Sequence, residues 1–218
     1  MKTYVLSHFA ALRWFLSHRD PRVDSNAPHL DVPASSDAPD SQVVEELRWT
    51  IGLEGPLDFL VIGDGVLRRS SAVRPHRCTQ CLPPGSLIPM ECRASNAELM
   101  VCCPELSFLQ ICQGVDTREA IYFGMCACSD FRFDPFAPGG VVYRAEGSHS
   151  IATRRSITTY LEKASGLKGV KRARGLGACS RSCEVSQGMR LRDVVLSFLQ
   201  VRGIRFGRAF LQRDGSGI

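Results

Sequence analysis

The sequence predicts an α+β fold: a small mixed sheet with helices packed around it and a poorly ordered C-terminal tail. Three observations predict it. Short apolar runs of β-compatible residues stand at 57–62 and 99–102, with a weaker strand candidate at 73–78. Segments with helical apolar spacing and local cap signals surround them. Beyond Arg174 those local signals stop agreeing with one another.

Taken in order, the first segment is "MKTYVLSHFAALRWFLSH", residues 1–18. Tyr4, Val5, Phe9, Leu12, Phe15 and Leu16 recur at helical spacing, which predicts an N-terminal amphipathic helix. Lys2 and the apolar middle raise the question of a signal peptide. His8, Arg13, His18 and Arg19 interrupt it, and no small-residue cleavage site follows, so secretion is set aside. Residues 19–42 are rich in Pro, Asp, Ser and Ala with little to bury, and read as a flexible linker. Ser41 is placed to cap a short helix through "QVVEELRWTIG", with Glu45 and Glu46 toward its positive end.

"LDFLVIG" reads as a buried strand and "SAVRPHRC" as a weaker second one. "LPPGS" forces a turn, because two prolines cannot continue a ladder. "AELMVCCPELSFLQICQG" reads as strand, turn and helix. Pro104 suits the first helical turn, where its missing N–H costs nothing. Leu106, Leu109, Ile111 and Cys112 form the apolar face, and Gly114 ends it. Asp116 caps the next helix, "TREAIYFGMCAC", with Glu119 at capping-box spacing. "DFRFDPFAPGG" is a loop and "VVYRA" a short strand. Thr153 caps a helix to about Ala164 with Ile157, Tyr160 and Leu161 on one face. Gly166 breaks it, Lys168 to Arg174 begins another, and "LRDVVLSFLQ" has the pattern of a last amphipathic helix.

The 218 residues suffice for one ordinary domain, and 44% of them are apolar, so a core can form. No apolar run reaches the ~18 residues that a membrane span needs. Of 27 Lys/Arg, 12 lie after residue 160, with only 4 of the 22 Asp/Glu. A basic tail on a slightly acidic body fits an anionic partner such as nucleic acid, or a solvated tail. Ten cysteines are many, yet Cys102, Cys103, Cys112 and Cys126 sit within apolar runs. A free Cys behaves as a small buried hydrophobe, so a reducing cytoplasm with unpaired thiols is expected.

Two segments carry candidate chemistry. "HRCTQC" holds His76, Cys78 and Cys81 within six residues, and Cys-x-x-Cys lets two thiolates reach one tetrahedral zinc across a tight turn. Two more ligands would close the site. Cys126 and Cys128 have the wrong spacing for that, so ordinary thiols stand as the other reading. A thioredoxin-like motif is set aside, since the pair follows a strand and precedes Pro-Pro rather than opening a helix. Cys179 and Cys183 share a helix face if that stretch is helical. His8, His18, His29, His76 and His149 are scattered. The second segment, "KGVKRARG", presents Lys168, Lys171, Arg172 and Arg174, which can neutralise DNA phosphates or serve as a solvated helix face. No aromatic residues interleave, so base stacking is not indicated. "GLKGVKRARGLG" lacks the strand and the Gly-Lys-Ser/Thr ending of a phosphate loop.

In this order, "VLSHFAALRWFLSHR", "LDFLVIGDGVLRRSSAVRPHRC" with "LPPGS", "CCPELSFLQIC" and "ITTYLEKASGLKGVKRAR" resemble bacterial proteins with an AbiEi-like antitoxin-type region followed by a restriction-endonuclease-like, PD-(D/E)xK-type domain. Cys103 stands where that family has Ser. The resemblance covers roughly residues 1–18 and 57–174. It implies a nuclease core just beyond, built from Ser-Pro-x-Glu, an Asp and Glu-x-Lys that hold a divalent metal. Neither motif occurs here, and Glu184, Asp193 and Asp214 are the acids that follow Arg174. No catalytic residue is carried over. The text after Arg174 resembles an alternative reading frame.

The expected organisation is therefore an N-terminal helix over 1–18, a linker over 19–42, an AbiEi-like α+β domain over 43–174 and a divergent or truncated basic tail over 175–218. The expected function is that of a non-catalytic, truncated member of an antitoxin/nuclease-like family with weak DNA association. The alternative is a zinc-binding interaction module. No cofactor and no membrane partner are expected, and the expected location is the cytoplasm.

Overall fold

The computed structural model describes residues 2–17, 32–90, 97–128, 131–133, 141–143 and 150–183. Its elements are β1 (Lys2–Leu6), α1 (His8–Ser17), α2 (Ser41–Ile51), β2 (Leu57–Ile62), β3 (Val73–Cys78), β4 (Leu87–Met90), β5 (Ala97–Cys102), α3 (Pro104–Gly114), α4 (Thr117–Cys128), β6 (Phe131–Phe133), β7 (Val141–Tyr143), α5 (Arg154–Lys163) and α6 (Val170–Cys183). The protein is α+β. A mixed five-stranded sheet runs in the order β3-β2-β1-β5-β4, and β6 and β7 form a separate antiparallel pair. The compact unit is Met1–Arg181. A second unit, Ser182–Ile218, begins within the last turn of α6, and residues 184–218 lie outside the described residues. The expected helix at 191–200 and most of the expected tail fall there, whereas the tail's first residues, 175–183, and the point expected for a reading-frame change lie within α6.

The strands expected at 57–62, 73–78 and 99–102 are present, the last beginning two residues earlier at Ala97. β2 reads Leu-Asp-Phe-Leu-Val-Ile and is buried throughout, as a strand covered on both faces must be. It runs parallel to β3 and antiparallel to β1, which runs parallel to β5.

The N-terminal segment differs from the expected single helix. Lys2–Leu6 is the central strand of the sheet, and helix begins only at His8. Tyr4, Val5 and Leu6 are buried between β2 and β5, where their ladder hydrogen bonds and β-compatible side chains outweigh a coincidental helical spacing. Helical periodicity applies from residue 8 onward: Ala11, Leu12 and Phe15 are buried, and α1 packs on α3 and β2.

The stretch expected as a linker divides. Residues 18–31 lie outside the described residues. Residues 36–38 are packed: the Ser36 hydroxyl donates to Leu60 O at 2.8 Å and accepts from Ile62 N at 3.0 Å. Asp37 N donates to Thr3 O, and Ala38 N to Val66 O, each at 3.0 Å. Asp40, not Ser41, caps α2 through its carboxylate and Val43 N. Glu45 and Glu46 lie beyond the first turn, and Glu45 pairs with Arg48 instead. β4 was not expected. It is short and carries Pro89, yet as an edge strand it can spare the missing donor.

The helices that follow match their local signals. Pro104 opens α3, and the Cys103 thiol accepts from Leu106 N at 3.4 Å, taking the role of a capping hydroxyl. Asp116 and Glu119 form the reciprocal cap of α4. Thr153 and Ser156 do the same for α5, whose Ile157, Tyr160 and Leu161 are buried. The Ser86 hydroxyl donates to Pro83 O, so the Tyr160 hydroxyl donates to Ser86 at 2.7 Å and ties α5 to the turn before β4. Lys168 lies just before α6, and that helix runs on past Arg174 to Cys183, held by buried Val170, Ala173 and Leu176.

Residues 63–72 join the parallel strands β2 and β3 without a helix. A Cβ at Gly65 would lie 1.8 Å from the Ser36 carbonyl oxygen, so only glycine lets residues 36–38 close over this connection. Gly175, by contrast, sits in α6, where an added Cβ would meet nothing within 4 Å. Gly65→Ala is expected to destabilise the protein by about 1–3 kcal/mol. Gly175→Ala should stabilise it by about 0.5–1 kcal/mol. Urea unfolding of both variants checks this, and a neutral Gly65→Ala would refute the packing account.

Candidate functional site

The parallel register of β2 and β3 sets Leu60 beside His76 and Ile62 beside Cys78. Alternation along each strand then puts Asp58, Leu60, His76 and Cys78 on one face of the sheet. Asp58 is the polar exception in β2 and is only 4% exposed. A carboxylate taken out of water needs a partner. Its partner is His76, whose Nε2–H donates to Oδ1 at 2.9 Å. That bond leaves Nδ1 as the second, unprotonated nitrogen when the ring is neutral.

The end of β1 brings a second imidazole to the same place. Ser7 N donates to Asp58 O at 2.9 Å, and the chain then turns at His8 with φ 47°. His8 N donates to Oε1 of Gln110 on α3 at 3.1 Å, and Gln110 Nε2 reaches the Cys102 sulfur at 3.7 Å. The His8 ring stacks on His76, with centroids 3.7 Å apart and planes 22° from parallel. Burial pushes the His8 pKa down to about 3; His76 adds to this and Asp58 opposes it. His8 is thus a neutral ring near pH 7.

This face opens into a cleft of about 570 Å³, lined among others by His8, His76, Arg77, Cys78, Thr79, Gln80, Gln110, Gln113 and Lys168. Among the described residues that line it, none is an Asp or Glu. Its two rims, the loop after β3 and the turn before α6, are joined by one side chain. Gln80 Nε2 donates to Gly166 O at 2.7 Å, and Lys168 N donates to Gln80 Oε1 at 3.0 Å. The Arg77 guanidinium donates to Gly63 O at 2.7 Å and Gly65 O at 3.0 Å, which holds its charge at the sheet edge.

The residues singled out from the sequence are dispersed differently than their spacing suggests. Of the basic four, Lys168 lines the cleft and Lys171 is exposed on α6. Arg172 donates to Val115 O at the end of α3, and Arg174 donates to Leu161 O in the last turn of α5 at 2.8 Å. Both guanidiniums thereby satisfy helix-terminal carbonyls that lack an intrahelical partner. His76 and Cys78 face the cleft, whereas Cys81 is exposed beside it. Among the described residues no three His, Cys, Asp or Glu side chains converge as a metal set. Cys179 and Cys183 lie in α6, with side chains outside the described residues, and His18, His29 and His149 are likewise outside. Cys102, Cys103 and Cys112 are buried thiols, and burial pushes each pKa up, that of Cys112 to about 12.

His8, Asp58, Gln80 and Gln110 were not anticipated. The one local signal was the Asp inside "LDFLVI", a polar residue in an otherwise apolar strand.

The His8 environment predicts a pH dependence. Its folded pKa lies below the unfolded value near 6.5. The unfolded chain therefore binds the extra proton first as pH falls below that value. Stability from this group is intact above pH ~6.5 and declines towards pH ~3, by at most about 1.4 kcal/mol per pH unit. His8→Asn should flatten the stability profile across that window in urea melts, and an unchanged slope would refute it.

No helix among the described residues is long and apolar enough to cross a membrane. Compared with known families, with curated proteins and with solved structures, the chain matches none of them.

Proposed function

We propose that the chain is an antitoxin-like module that binds the phosphate backbone of DNA through the β3–α3 cleft and does not cut it. One observation carries this reading: the described lining presents Lys168, Arg77, imidazoles and side-chain amides, with no carboxylate among them. A phosphate oxygen meets the exposed Lys168 ammonium there, while the Asp58 carboxylate is buried beneath the floor and bonded to His76. Lys171, three residues beyond Lys168, is also exposed. A metal-dependent nuclease site needs acidic residues to hold its divalent ion at the scissile phosphate. The described lining supplies none, and the sequence contains neither Ser-Pro-x-Glu nor Glu-x-Lys. Lys is a mobile point charge rather than a planar fork, which suits backbone contact over base readout.

Affinity for duplex DNA should be measurable at low salt and fall steeply as salt rises. Lys168→Ala should weaken binding uniformly across sequences and lower the slope of log K against log salt by about 1. Fluorescence anisotropy with two unrelated duplexes at several salt concentrations reads both effects. Absence of binding by the intact chain at low salt, or a Lys168→Ala variant with an unaltered slope, would sink the proposal.

A further inference from the structure

We propose that Cys78 and Cys81 are a reversible oxidation site, and that their disulfide releases the Gln80 side chain that joins the two rims of the cleft. The effect on DNA rests on the function proposed above; the disulfide and the release do not.

Four observations converge. Cys81 is exposed and Cys78 and Cys128 are half-buried, whereas Cys102, Cys103, Cys112 and Cys126 are buried, so among the described cysteines Cys78 and Cys81 are the accessible pair close in sequence. The chain bends at Gln80, between the two. The Cys78 thiol turns to that bend, donating to Gln80 O at 3.4 Å. Gln80 itself carries the bonds to Gly166 O and Lys168 N. A disulfide needs its two Cα atoms within about 7 Å and a fixed dihedral at sulfur, so closing a two-residue loop dictates the backbone of Thr79 and Gln80. Cys78 Sγ must also give up its bond to Gln80 O. The amide of Gln80 is then re-aimed, and the turn bearing Lys168 loses its tie to the loop after β3.

The co-reactant is a small-molecule disulfide. A Cys81 thiolate attacks one of its sulfurs, forming a mixed disulfide and expelling one small thiolate. The Cys78 thiolate then attacks the Cys81 sulfur, forming the intrachain bond and expelling the second. The two protons leaving the protein thiols end on the two released thiols. The protein gives up two electrons and the small disulfide accepts them. β3 ends at Cys78 and the next regular element along the chain is β4, so neither cysteine opens a helix. The pair is therefore a responsive site and not a catalyst of exchange.

The test uses the full chain equilibrated with oxidised and reduced glutathione in varied ratio. Peptide mapping should find the bond within the peptide that holds both residues. Hydrogen exchange in the peptide spanning 166–168 should quicken on oxidation. DNA affinity at low salt should fall about fivefold or more and return with reductant. Cys81→Ser should abolish all three responses. Gln80→Ala, kept reduced, should reproduce the faster exchange. Linkage to other cysteines, or a bond between Cys78 and Cys81 with exchange at 166–168 unchanged, overturns the inference, as does oxidation that leaves a measurable DNA affinity unaltered. If the reduced chain binds no DNA at all, the functional proposal fails, while mapping and exchange still decide this one.

Discussion

The pairing of β1 is the constraint on which the rest depends. Lys2–Leu6 is hydrogen-bonded on both sides, antiparallel to β2 and parallel to β5, and so joins β2-β3 to β5-β4. Without it the sheet is two separate pairs, each with a new edge. Its register also fixes where the chain leaves the sheet. Leu6 pairs with Phe59, so Ser7 meets Asp58, and His8 arrives over His76. A shift of one residue would turn Tyr4 and Leu6 to the opposite face and carry His8 off the stack.

The floor of the cleft is a chain of polar groups that the fold cannot leave half made. Asp58 is buried and bonded to His76; His8 is bonded through its backbone to Gln110; Gln110 reaches Cys102. Each member comes from a different element, so each bond reports tertiary docking: α3 on the sheet, β2 on β3, β1 on both. A buried carboxylate deprived of its partner costs roughly 3–5 kcal/mol. The network thus rewards one arrangement of β1, β2, β3 and α3 more than apolar contacts alone would, since those tolerate small slippage. The rings it fixes face the cleft, and in this way local burial energy becomes site geometry.

What was legible in the sequence was local. The caps Thr153 and Asp116, the latter with Glu119, were found because both ends of such a bond lie in one turn, although at α2 the neighbouring Asp40 takes the role expected of Ser41. The buried run of β2 was found because burial on both faces leaves an unbroken apolar string. β1 was missed because its evidence lies elsewhere: Tyr4 pairs with Leu99, and nothing near Tyr4 records that. Its apolar residues also fell in phase with those of α1, so one periodicity covered two elements. β4 was missed because Pro89 counts against a strand unless the strand is known to be at an edge. The site divides in the same way. His76 and Cys78 showed themselves through spacing along one strand. Asp58, His8, Gln80 and Gln110 are brought to them by strand order and by docking of α3, which spacing does not encode.

Charge in the sequence is likewise not charge at the surface. "KGVKRARG" carries four cations over seven residues, yet two of them end helices: Arg172 serves α3 and Arg174 serves α5. Arg77 is held by the two carbonyls of the β2–β3 connection. A guanidinium has five donors in a fixed fork, and so is readily engaged by neighbouring carbonyls. The ammonium of Lys168 is different. Its backbone is tied down by Gln80, and its side chain stands exposed at the cleft. The backbone that carries this charge is therefore held by the Gln80 side chain, and the Lys168 side chain is exposed. The placement of this charge thus depends on the Gln80 side chain, and through it on the bend at residues 78–81, which net charge does not record.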